Sequence, residues 1–175
     1  MYFWHNGFLT YDIDATITFL NAMSGSPVAV NAPKAANAPK AANAPKATGS
    51  PVAANAPVAK WTIMDVEFPQ KKMAVGNGGL LRAAFGRVGG IAIELLQPLD
   101  DLSYHANVLK SRGAGFHHNA YVCENDQDEL VDRLISAGGK VIWEFLNDGE
   151  HAYYIESAGS GAVLELINLC PFIPD

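Results

Sequence analysis

Residues 91–122 read IAIELLQPLDDLSYHANVLKSRGAGFHHNAYV. Glu94 interrupts an apolar strand-like run at one end, and His117-His118 interrupts another at the far end, with a helix-like stretch at 101–111 between them. A carboxylate inside an apolar strand is costly unless it is paired, neutralised or bound to a metal. The same two anomalies recur elsewhere. Phe3-Trp4-His5-Asn6-Gly7-Phe8 aligns with Phe116-His117-His118-Asn119-Ala120-Tyr121 at an offset of 113, and Glu165 interrupts AVLELI as Glu94 interrupts IAIELL.

Working outward from these anchors, each half predicts strand, helix, strand, strand, strand. The first half offers a helix at 15–23 and strands at 61–68, 80–85 and 91–97; the second offers a helix at 129–137 and strands at 141–145, 152–156 and 162–168. Gly138-Gly139 supplies the helix stop in the second half. Most of the difference in length between the halves comes from residues 26–59. There, prolines recur every six residues from Pro27 to Pro57, and NAPKAA repeats without an acid, an aromatic, a Leu or an Ile. Proline at that spacing forbids a continuous helix or a central strand, so the tract reads as a linker-like insert. The predicted division is a first module at 1–99 carrying the insert, a connecting helix at 100–114 and a second module at 115–175.

Over its 175 residues the chain is 49% hydrophobic and carries a net charge of -6. The insert holds three lysines and no acid, so the remainder sets nine cations against eighteen acids. That balance argues against nucleic acid or an anionic membrane as partner. No run approaches the roughly 18 apolar residues of a membrane span. Cys123 and Cys170 lack metal-ligand or redox spacing, and MYFWHNG lacks the form of a leader, so a reduced, cytoplasmic location is expected.

By strand alternation Glu94 shares a face with Leu96, Glu165 with Ile167, and His118 with Ala120, while His117 is assigned to the opposite face as a surface or supporting residue. If the two halves pack with these faces together, His5, Glu94, His118 and Glu165 meet. Two neutral imidazoles and two carboxylates cancel one divalent cation, and mixed N and O ligation suits Zn, Ni, Co, Mn or Fe. A single such histidine is ordinarily a satisfied core residue. It is the recurrence of both residue types at the same strand positions that points to a site.

The runs GFHHNAYV from Gly115, IELLQPL from Ile93, AVLELINL from Ala162 and WHNGFLTYDID from Trp4 together resemble the vicinal oxygen chelate superfamily of glyoxalases, bleomycin-resistance proteins and extradiol dioxygenases. The flavour is that of methylmalonyl-CoA epimerase-like and glyoxalase-like proteins. The resemblance covers nearly everything outside the insert. It implies an α+β fold of two paired βαβββ modules forming a curved, cup-like mixed sheet, with one divalent metal on His5, Glu94, His118 and Glu165. It also implies a lyase or isomerase acting on a small carbonyl, acyl or oxygen-chelating substrate. Glu165 or Glu94 would serve as base, with Glu165 ahead. Arg82 stands where such epimerases carry a second acid-base glutamate, which counts against that particular reaction and suggests instead a clamp for a substrate anion.

Trp61, Phe85 and Tyr154 are the aromatics expected beside the substrate, with Trp4, Trp143 and Tyr153 as further aromatic candidates. Glu144 and His151 are weaker acid-base candidates in the second half. Two other readings of the resemblance are a metal-free sequestering protein and a ring-cleaving dioxygenase. A homodimer is compatible with the exposed edge strands of such cups, yet both modules lie in one chain and a monomer could complete its own site.

Overall fold

The computed structural model describes residues 1–23 and 60–169. The insert predicted at 26–59, with Cys170 and the end of the chain, lies outside the described residues. Among the described residues nine strands, numbered in chain order, form one mixed sheet in the order β2-β4-β5-β1-β6-β9-β8-β7-β3. The first half supplies β1 (Tyr2–Leu9), α1 (Ile13–Met23), β2 (Trp61–Phe68), β4 (Gly79–Val88) and β5 (Ile91–Pro98). The second supplies β6 (Gly115–Val122), α3 (Gln127–Ser136), β7 (Gly139–Asn147), β8 (Glu150–Ser157) and β9 (Val163–Ile167). Helix α2 (Tyr104–Arg112) joins them. It begins three residues later than the sequence predicts because Ser103 caps it, its side chain accepting from the Ala106 amide, while the Asp100 carboxylate takes the amides of Leu102 and Ser103.

Strand β3 (Met73–Val75) was not anticipated, and it explains the curvature. Strands β2 and β3 lie at opposite edges of the sheet, β2 on β4 and β3 on β7. Only five chain steps separate Phe68 from Met73, which reach at most about 18 Å. A flat nine-stranded sheet would be about twice that width, at roughly 4.8 Å per strand. The sheet must therefore curl until its edges approach. The Phe68 ring accordingly meets Trp143 and Phe145 of β7, at centroid separations of 5.1 and 4.9 Å.

The two faces of the curled sheet bury different residues. On the convex side α1 packs Ile13 against Ala84, Ile93 and Leu95, and α3 packs Val131 against Cys123, Tyr153, Ile155 and Leu166. The concave side holds the largest core cluster, including Leu81, Phe85, Ala120, Trp143, Phe145 and Tyr154, to which α2 adds Leu109. The floor of the concave side is formed where β1 and β6 meet at the centre of the sheet.

Candidate metal centre

Strands β1 and β6 run antiparallel, with two register breaks that fall at matching places in the halves. Between Phe3 and His5 the ladder skips Trp4; between Gly7 and Phe8 it skips His117. Each is a β-bulge, which sets one extra residue outside the ladder register and re-aims its side chain. As a result Trp4 and His5 are both buried on the concave side, and His117 joins His118 in the interior. The assignment of His117 to the opposite face is thereby corrected, because alternation holds only while the ladder keeps its register. His117 is buried, with its Nδ1 2.8 Å from Nδ1 of His118.

His5, Glu94, His118 and Glu165, all buried, bring one ligand atom each to within 4.8 Å of the others. His5 Nε2 lies 3.2 Å from His118 Nε2 and 3.2 Å from Glu94 Oε2. His118 Nε2 is 3.3 Å from one oxygen of each glutamate. Glu165 Oε2 approaches the two imidazoles at 3.3 and 3.5 Å yet is aligned for a hydrogen bond with neither, and it has no other partner. All four residues come from one chain, two from each half.

The donor set fits a divalent cation. With bonds of about 2.1 Å, neighbouring ligand atoms stand roughly 3.0 Å apart around an octahedral ion and roughly 3.4 Å apart around a tetrahedral one, close to the 3.2–3.5 Å that separates the two imidazoles from each other and from the carboxylate oxygens. The electrostatics are those of a site short of positive charge. Burial would push the His118 imidazole down, but the Glu165 and Glu94 carboxylates outweigh it and hold it up at about 9. Burial would likewise raise Glu94, but His5 and His118 outweigh it and keep the carboxyl well below its usual range. Without a cation, a proton on the His118 imidazole supplies part of the balancing charge, and a metal would displace it.

One glycine is required here. Gly7 pairs with His118 across the ladder, and a Cβ on it would fall 2.0–2.5 Å from the His118 ring. Behind the cluster, His105 and His117 are kept neutral, pushed down by burial to about 3 and about 2. Tyr104 Oη lies 3.2 Å from His117 Nε2, and Tyr154 Oη lies 3.2 Å from His105 Nε2. Tyr104, His105 and Gly7 were not singled out by sequence, and only the small residue after each His-Asn pair hinted at Gly7.

In front of the cluster opens a cavity of about 260 Å³, lined by Glu94 and Glu165 and by Trp4, Phe68, Phe85, Leu96, Trp143 and Phe145 among others. Phe85 and Trp4 stack at 5.8 Å as part of the wall. Three residues expected beside a substrate, Arg82, Trp61 and Tyr154, do not line the cavity. Arg82 follows Leu81 and precedes Ala83, both of which line the cavity, so it points to the other face, where its Nε donates to Asp65 Oδ1 at 2.9 Å. Trp61 also belongs to the convex side, packing under α1 with its indole N–H donating to Asn21. Tyr154 lies against His118 at 5.0 Å between ring centroids, behind the cluster rather than on the cavity wall.

Glu144 and His151 pair with each other at 3.0 Å, and neither lines the cavity. Glu150, which sequence gave no reason to choose, does line it, and burial followed by the nearby Glu165 pushes its carboxyl up. No helix among the described residues is long and apolar enough to cross a membrane.

Residues 4–155 match the family described as the Glyoxalase/Bleomycin resistance protein/Dioxygenase superfamily. No curated protein matches the chain in sequence. Among solved structures, hypothetical protein BH1468 from Bacillus halodurans C-125 superposes with a TM-score of 0.57 at 18% identity, covering 99% of this chain and 98% of that one. Methylmalonyl-CoA epimerase from Mycobacterium tuberculosis gives 0.53 at 19% identity, covering 97% and 88%. A Streptomyces coelicolor methylmalonyl-CoA epimerase variant in complex with 2-nitronate-propionyl-CoA gives 0.54 at 16% identity, covering 100% and 99%. At these identities the likeness is one of fold.

Proposed function

The chain belongs to the glyoxalase, bleomycin resistance protein and dioxygenase superfamily, and from that membership we propose that it is a divalent-metal lyase or isomerase. Its substrate would be a small carbonyl or acyl compound able to present two oxygens to the site. The observation that carries the reading is the convergence of His5, Glu94, His118 and Glu165 at the floor of an apolar cavity. A cation held by these four residues would supply Lewis-acid stabilisation of the negative charge that develops when a proton leaves the carbon beside a carbonyl.

The rest falls to the protein. Glu165 is the base: it borders the cavity, and its Oε2 is tied down by no aligned hydrogen bond, whereas Glu94 Oε2 is bonded to His5. A carboxylate so placed can take a proton from a substrate carbon and return it to the same or the adjacent carbon. The aromatic walls keep water from the exposed carbanionic charge, and a volume of about 260 Å³ restricts the reacting part of the substrate to a small group. An epimerase would also need a second acid-base group on the opposite side of that carbon. Arg82 faces away; besides Glu94 and Glu165 the cavity is lined by the carboxylates of Glu67, which is exposed, and Glu150, which is half-buried and the better placed of the two for that role.

The test is metal analysis of protein purified without chelator, together with Glu165→Gln and solvent deuterium exchange into a panel of α-hydroxy ketones, hemithioacetals and 2-methyl acyl thioesters. One divalent metal per chain, with exchange lost by at least about 100-fold in the variant, is the expected result. Protein that holds no metal and whose ligand affinity is unchanged by Glu165→Gln would overturn it in favour of sequestration. Bound iron with uptake of O₂ would overturn it in favour of ring cleavage.

A further inference from the structure

Resting on the reading of the four residues as cation ligands, we infer that His117 is a positioning residue that accepts the Nδ1 proton of His118, leaving His118 Nε2 as the ligating atom, with Tyr104 holding His117 in turn. A free imidazole exchanges its proton between two nitrogens and can rotate either one toward a metal. A site built on it needs something that removes both freedoms.

The distances fix the direction of every bond once a single choice is made. His118 Nε2 is the atom that faces His5, Glu94 and Glu165. To ligate, it must keep its lone pair, so the His118 proton lies on Nδ1. That nitrogen is 2.8 Å from His117 Nδ1, which therefore accepts. The His117 proton then lies on Nε2 and is donated to Tyr104 Oη at 3.2 Å. Water cannot compete, because His118 is 0% and His117 6% exposed. Tyr154 limits rotation of both rings, lying at 5.0 Å from His118 and 5.1 Å, nearly perpendicular, from His117.

Metal-bound histidines are more often held by a carboxylate or a backbone carbonyl. Two carboxylates already balance a divalent ion here, so a third would leave the buried site with excess negative charge. A neutral imidazole accepts the same proton without adding charge. The bulge makes this contact available to His117, since a regular strand would turn its ring to the other face. The duplicated position in the first half holds Trp4, whose indole nitrogen is a donor only. There His5 Nδ1 has no partner.

The experiment measures Zn²⁺ affinity of the full chain by competition with a chromophoric chelator, in the wild type and in His117→Leu, His117→Asn and Tyr104→Phe. Long-range ¹H–¹⁵N spectra of the zinc-loaded wild type report which His118 nitrogen carries hydrogen. The expected result is a loss of about 10–100-fold for Leu, near-wild-type affinity for Asn, whose amide oxygen can reach the place of Nδ1, and a smaller loss for Tyr104→Phe. His118 should read as protonated on Nδ1. Zinc affinity unchanged in His117→Leu, an equal loss in His117→Asn, or a His118 protonated on Nε2 in the loaded wild type would overturn the inference. The spectra do not depend on whether the Leu variant folds. A wild type that binds no zinc at all would instead remove the cation-site reading on which this one stands.

Discussion

His5 and His118 hold equivalent places in the two halves, yet the residues around them have diverged. Each follows a bulged residue, and each presents Nε2 to the cluster. Before His5 stands Trp4, which stacks on Phe85 and forms cavity wall; before His118 stands His117, which points back toward α2 and bonds Tyr104. Across the ladder, His5 faces Ala120, whereas His118 faces Gly7, where there is no room for a Cβ. The backbone device is therefore shared by both halves, while the side chain it turns inward forms cavity wall in one and contacts the ring of its neighbouring histidine in the other. A bulge fixes direction and leaves chemistry free, so a duplicated module can place a ligand twice and specialise its neighbours separately.

Exchanging the small residues opposite the two histidines tests this asymmetry most severely. Gly7→Ala would drive a methyl group into the buried His118 ring and is expected to lower zinc affinity by more than about 100-fold, with overpacking costing about 1–3 kcal/mol in urea unfolding. Ala120→Gly should change zinc affinity by less than about threefold and stability by about 1 kcal/mol, since it removes only a strand methyl. Equal effects of the two would show that the halves are not asymmetric in this respect.

The buried imidazoles gathered behind His118 predict an acid sensitivity. His105 is lowered from 6.5 to about 3, chiefly by burial. Between those values the unfolded chain binds a proton that the folded chain excludes, so stability falls as pH drops below 6.5. At pH 5 this amounts to on the order of 2 kcal/mol. In urea titrations at pH 7 and pH 5, His105→Phe should remove about that much of the loss seen in the wild type. The smallest effect contrasts the two faces of β4. Phe85→Ala, on the cavity wall, should lower kcat/KM roughly tenfold, while Arg82→Ala should leave it within about twofold. A large effect at Arg82 would mean that the convex face takes part in substrate binding.

Much of this arrangement could be read in the chain. The alignment of Phe3–Phe8 with Phe116–Tyr121, and of IAIELL with AVLELI, places two histidines and two glutamates on corresponding strands, and the structure brings the four together. Alternation correctly kept Glu94 with Leu96 and Glu165 with Ile167 on the concave side. It misled at His117, where the bulge breaks the period of two, but it does set Arg82 opposite Leu81, Ala83 and Phe85, and Trp61 opposite Met64, Val66 and Phe68, the residues of their strands that line the cavity. Strand β3 escaped notice because three residues are too few to show a period.

The sequence by itself determined which residue types recur and at what spacing, because a repeat and the cost of ionisable groups in apolar strands are properties of the chain before it folds. The tertiary structure alone decided which side chains touch. Curling brings together edges joined by the four-residue link 69–72, two bulges rotate Trp4 and His117 inward, and Gly7 yields its space to His118. Each of these depends on pairing between strands far apart in sequence, where a shift of one residue in register reverses the face a side chain occupies.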